Sequence, residues 1–147
     1  MTSWDDITRA VGIAAAGRSD SARRALQTCW DQAGPYEHAQ RCIIAHYLAD
    51  QQDELDAEIA WDETALAEHA HVTDADLAPV GVPSAAGFAP SLHLNLGDDY
   101  LRARISHAAR THLEAARATE HLLPDVGYGA MIRAGINRLA QRLDQTS

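Results

Sequence analysis

Lysine is absent from the 147 residues: the twelve basic side chains are all arginine, set against 21 acidic ones for a net charge of −9. Nucleic-acid binding draws its affinity from clustered positive charge that displaces counterions, so this balance excludes a phosphate backbone as the main ligand. The arginines that do sit together, Arg23 with Arg24 and Arg102 with Arg104, lie in acid-rich stretches and read as solvated, ion-paired helix faces. Aromatic residues make up only 5% of the chain, with a single Phe. The core must therefore come mainly from Ala, Leu and Ile, which suits closely packed helices better than a sandwich of strands. Two cysteines, Cys29 and Cys42, are too few for a disulfide framework and read as small apolar core residues in a reducing compartment. Nowhere do eighteen apolar residues follow one another, and the opening MTSWDDITRAVG has no basic segment before an apolar one. No membrane partner and a cytoplasmic location are the expectations.

What is present is a packing scheme. In the stretch Ser91 to Ala116, the residues Gly97, Ala109 and Ala116 are small, while Leu96, Tyr100 and Leu113 are large. Residues three or four apart share a helix face, so small residues on one helix leave room for large ones on its neighbour. A buried Tyr100 also needs a partner for its hydroxyl. The same small, large, small spacing recurs at Ala22, Leu26 and Cys29, and at Ala57, Trp61 and Thr64. Thr64 fits such a position if its hydroxyl bonds back to a carbonyl in the preceding turn.

Capping and breaking residues divide the chain. Thr2 or Ser3 caps a first helix with Asp5 and Asp6 in its first turn and Trp4, Ile7, Val11 and Ala14 or Ala15 on one face. Gly17 ends it; Ser19 or Asp20 caps a second, stopped by Gly34 and Pro35. A third runs from after Pro35 to about Asp50, with Ile44, Ala45 and Leu48 inward, and a fourth follows the turn Gln51 to Asp53. The segment Thr73 to Ala89, with Pro79, Gly81, Pro83 and Gly87, cannot continue either flanking helix. Its Leu77, Val80, Val82 and Phe88 predict that it packs back on the helices. A last helix begins at Pro124–Asp125, with Tyr128, Met131 or Ile132, Ile136, Leu139 and Leu143 inward and Arg133, Arg138, Arg142 and Asp144 on its polar outer side.

The run Leu96-Gly97, Tyr100, Ala109, Leu113, Ala116 resembles the core of a tetratricopeptide helix pair, with His93 where that family carries Trp. The resemblance implies an all-α, right-handed α-solenoid: one domain over 1–147, with helix pairs at about 3–34, 36–71 and 90–122, a loop insertion at 73–89 and a capping helix at 125–144. The repeat positions Ala22, Ala57 and Ala109 lie 35 and 52 residues apart. Against a family period of about 34, the insertion accounts for the excess.

The resemblance also implies a job, a protein-interaction scaffold and not an enzyme, and a place for it. In such families the first helix of each pair lines a concave groove, here Cys42, Ile43, His46 and Asp50, then Leu94, Asn95, Asp98, Leu101 and Arg102. An asparagine at the place of Asn95 grips a backbone or terminal carboxylate in related peptide-binding domains, but those surround it with lysines. With His46, Asp50 and Asp98 nearby in that groove, a basic or neutral peptide or partner protein is the expected ligand. The alternatives are a self-associating homodimer built on the 73–89 loop, or a small-ligand or metal-binding protein or enzyme using His46, His93 and Asp98.

Eight histidines invite a metal reading, above all His69-x-His71 and His107 with His112. No two are four apart on a helix, and there is no His-Glu-x-x-His run or Cys-x-x-Cys, so no metal and no other cofactor is expected. There is likewise no Gly-x-Ser-x-Gly and no glycine-rich phosphate loop, and Glu58 with Asp62 reads as a hydrated helix face.

Overall fold

The helix signals act where they stand. In a computed structural model describing residues 1–82 and 84–146, Ser3 Oγ accepts the amide of Asp6 at 3.1 Å, and Ser19 Oγ accepts that of Ala22 at 3.0 Å. These caps open α1 (Trp4–Ala15) and α2 (Asp20–Gln32), and Gly17, at φ +119°, makes the left-handed turn between them. Helix α3 (His38–Asp50) starts later than Pro35 suggests. Glu37 bends back so that its Oε1 accepts the Gly34 amide at 2.7 Å, closing a turn before the helix can begin. Helix α4 (Leu55–His69) completes the second hairpin. The chain is all-helical, with no strand among the described residues.

It divides into two compact units, Met1–Pro83 and Ser84–Ser147. In the first, Ile7, Ala10, Leu26, Cys29, Ile44 and Leu48 form a core, with Trp4, Val11, Trp30, Ile43, Tyr47 and Trp61 around it. The triplet Ala22, Leu26 and Cys29 is buried as its spacing predicts, as are Ile44, Ala45 and Leu48. The fourth helix departs from expectation: Ala57, Trp61 and Thr64 are half-buried, while Asp62 and Ala65, at 3% and 0% exposure, face inward. Trp61 lies edge-on to Trp30 with ring centres 4.9 Å apart, and the Arg41 guanidinium covers Trp30 at 4.2 Å. The hydroxyl of Thr64 donates to the Ala60 carbonyl at 2.8 Å.

The insertion is structured. Thr73 and Asp76 form a capping box that starts a single turn, α5 (Asp74–Leu77), and a 3-10 turn over Ala78–Val80 ends at Gly81, φ +75°. Leu77 is buried at 1% exposure. Pro83 lies outside the described residues.

In the second unit a 3-10 turn, Ala86–Phe88, runs into α6 (Ala89–Arg102), and α7 (Ser106–Thr119) packs back on it. Gly97, Ala109 and Ala116 are buried. The large residue that needs the gap at Gly97 comes from α8 (Tyr128–Gln145): a Cβ on Gly97 would lie 2.5 Å from Leu139 Cδ2. Tyr100 stacks on His112, ring centres 5.6 Å apart, and His93 Nδ1 is 3.0 Å from His112 Nδ1. Helix α8 begins at Tyr128 instead of Pro124, because Gly127 turns at φ +60° and the chain before it doubles back. A Cβ on Gly129 would sit 1.8 Å from the Pro124 carbonyl oxygen. Of the inward residues expected here, Ile132, Ile136, Leu139 and Leu143 are buried, but Tyr128 and Met131 are exposed. Arg133 is not an outer residue: its guanidinium donates to the carbonyls of Glu120, Leu123 and Pro124 at 2.9, 2.9 and 2.6 Å, closing the turn that α8 leaves.

Candidate functional site

In the second unit, α6 presents Leu94, Asn95 and Asp98 along one face, and α8 presents Gly135, Arg138 and Arg142 along the facing one. Between them is an open cleft of about 200 Å³. Gly135 lets the helices come close, since a Cβ there would be 2.7 Å from Leu94 Cδ2. Asp98 bridges the two walls. Its Oδ1 accepts from Arg142 Nη2 at 2.7 Å and its Oδ2 from Arg102 Nε at 2.9 Å. Arg102 also donates to Asp99 Oδ1 at 2.8 Å, and Asp99 is 1% exposed. Arg138 is different: it has no hydrogen-bond or ion-pair partner among the described residues, and its Nη2 lies 3.8 Å from where a Gly135 Cβ would be. A guanidinium is thus folded over the glycine at the mouth of the cleft.

The nine positions named from sequence fare differently. Asn95, Asp98 and Leu94 line this cleft, and Arg102 braces it through Asp98. Leu94 and Leu101 also pack against Ala109, Leu139 and Leu143. On α3, in the first unit, Cys42 is 2% exposed and burial pushes its thiol up to about 12, so it offers a ligand neither surface nor thiolate. Ile43 packs against the Ile7 and Leu26 core. His46 is half-buried, edge-on to Tyr47 at 5.2 Å, and burial lowers its pKa to about 4. Asp50 is exposed at the end of α3; low-dielectric protein around its carboxyl, and then the charge of Glu58, raise it above the ordinary carboxylate value.

Sequence reasoning passed over Gly135, Arg138 and Arg142, placing both arginines on the outer side of a cap. Their spacing of three and four residues carried the signal, since it puts a small residue and two cations on one helix face. With these included, the cleft is not neutral to acidic. Arg102, Arg138 and Arg142 outnumber its half-buried carboxylate, Asp98. Guanidinium groups so placed can hold an anion by charge-assisted, fork-shaped hydrogen bonds, and no nucleophile stands beside a base among the described residues that line the cleft. No family model, curated protein or solved structure matches the chain.

Proposed function

We propose that this chain is a protein-interaction module of the tetratricopeptide type that holds a short acidic segment of a partner in the cleft between α6 and α8. The observation carrying the reading is Arg138, a guanidinium without a partner among the described residues at the edge of a cleft that also offers Asn95. An arginine left without a counter-ion gains most from a carboxylate, because its planar donors match two oxygens at once. Asn95 would fix the orientation of a peptide backbone, and Leu94 would meet an apolar side chain. The sign of the charge replaces the expectation of a basic or neutral ligand, which took in the α3 residues His46 and Asp50 and left out α8.

The small, large, small frame of α2 and α7, and the gap at Gly97, support the helical-repeat part of the reading. The test is an array of ten-residue peptides graded from acidic to basic, read by fluorescence polarisation. Acidic members should bind, and Arg138→Glu should abolish binding with the melting temperature unchanged. Preference for basic peptides, or indifference to Arg138→Glu, would remove this function.

A further inference from the structure

The carboxylate of the α6–α8 cleft is as informative as its arginines. Asp98 is half-buried, and both of its oxygens are taken: Oδ1 by Arg142 Nη2 at 2.7 Å, Oδ2 by Arg102 Nε at 2.9 Å. Arg102 is held a second time, by Asp99 Oδ1 at 2.8 Å. Two of the three guanidinium groups are therefore matched by carboxylates of the protein itself. Arg138 brings positive charge with no counter-ion among the described residues, and it stands four residues before Arg142 on α8. One turn apart, the two arginines share a helix face, and both line the cleft with Asp98.

One unmatched positive charge suits a ligand group of one negative charge. A carboxylate has that charge, and its two oxygens fit the fork of a single guanidinium. A phosphoserine carries about −1.5 to −2 at neutral pH and three acceptor oxygens, so it needs a second cation within reach. Among the described residues lining the cleft, the only other cation is Arg142, and Asp98 already holds it. A phosphate on Arg138 would thus bring its second charge into a cleft that Asp98 makes partly negative. An unmatched charge built against the wrong ligand is a common source of specificity.

We infer, resting on the reading that the cleft takes an acidic segment, that Asp98 is its specificity-determining residue. By holding Arg142, it admits a segment that seats one carboxylate side chain on Arg138 and rejects the same segment carrying a phosphoserine there. Asp98→Asn keeps the shape, removes the charge and leaves one acceptor oxygen where there were two. Arg142 then joins Arg138 in facing the ligand, and the preference turns toward phosphate.

The test uses the full chain and the acidic ten-residue peptide that binds best, with its C-terminus amidated. Each glutamate or aspartate is replaced in turn by Ser and by phosphoserine, and affinities are read by fluorescence polarisation in phosphate-free buffer. At one position Ser should weaken binding by roughly tenfold, and phosphoserine should not restore it. In Asp98→Asn, phosphoserine at that position should bind roughly tenfold tighter than in the unaltered protein. A melt checks that the variant folds. Asp98→Asn combined with Arg142→Gln should lose that gain, because no second cation is left to release. A purely structural role for Asp98 would weaken every peptide alike and leave the ratio of phosphoserine to carboxylate binding unchanged. That unchanged ratio, or phosphoserine matching the carboxylate at every position in the unaltered protein, would overturn the role of Asp98 while the acidic-segment reading stands. Binding that needs a free C-terminus and none of the acidic side chains would overturn it too, by putting the chain end on Arg138. Failure of every acidic peptide to bind would remove the function itself and this specificity with it.

Discussion

Helices α7 and α4 carry the same spacing of a small, a large and a small residue, and they use it differently. In α7 the pattern is Ala109, Leu113, Ala116, and both alanines are fully buried. In α4 it is Ala57, Trp61, Thr64, and the buried residues are instead Asp62 and Ala65. The difference lies in the large member. A leucine fits a seam between two helices, whereas an indole is too broad and moves to the rim, where Trp61 meets Trp30 edge-on. Moving the large residue outward rotates the helix by about one position, roughly 100°. Ala65 then takes the place meant for Thr64. Spacing alone therefore identifies a buried face only when the residue between the small ones can itself be buried.

Acid breaks the comparison most widely. The first unit holds His46 on α3 with its pKa lowered from 6.5 to about 4 by burial. The unfolded chain binds that proton below pH 6.5 while the folded chain refuses it until about pH 4. Stability from this residue is thus complete above 6.5 and falls as the pH drops toward 4, by up to about 3 kcal/mol. Urea midpoints between pH 7 and 4 should show the loss, and His46→Gln should flatten it. In the second unit, Gly129→Ala drives a methyl into the Pro124 carbonyl, a contact no side-chain rotation relieves. A loss near 3 kcal/mol is expected by chemical denaturation, at the upper end for overpacking.

The shifted register of α4 can be tested directly. Ala65→Leu should cost about 2 kcal/mol because the site is fully buried, while Thr64→Leu should cost under about 1 kcal/mol. Equal costs would restore the register read from spacing. The smallest effect belongs to Thr64→Val, which removes the bond to the Ala60 carbonyl from a half-buried site. A change of about 0.5 kcal/mol or less in either direction is expected in a thermal melt.

Much of the candidate site was visible as residue types but not as a site. Asn95 and Asp98 stood out on α6 through the family resemblance, whereas Arg138 and Arg142 read as solvent-facing because a terminal helix needs a polar side. That side was drawn from charge alone, and α8 turns part of it toward α6 through Gly135. Arg133 shows the same limit: no pattern announces that a guanidinium will close three carbonyls of the turn before its own helix.

What the sequence determined by itself is local: helices capped at Ser3 and Ser19, broken at Gly17 and Gly34, and faced with small and large residues at helical spacing. Those features act through neighbours within about four residues, so they can be read in order along the chain. Only the tertiary structure decided which partner fills each gap, as Leu139 fills that at Gly97. It also brought His38 to His71 and Arg142 to Asp98. Contacts of that kind depend on how helices lie against one another, and side-chain volume and backbone turns set that jointly across dozens of residues.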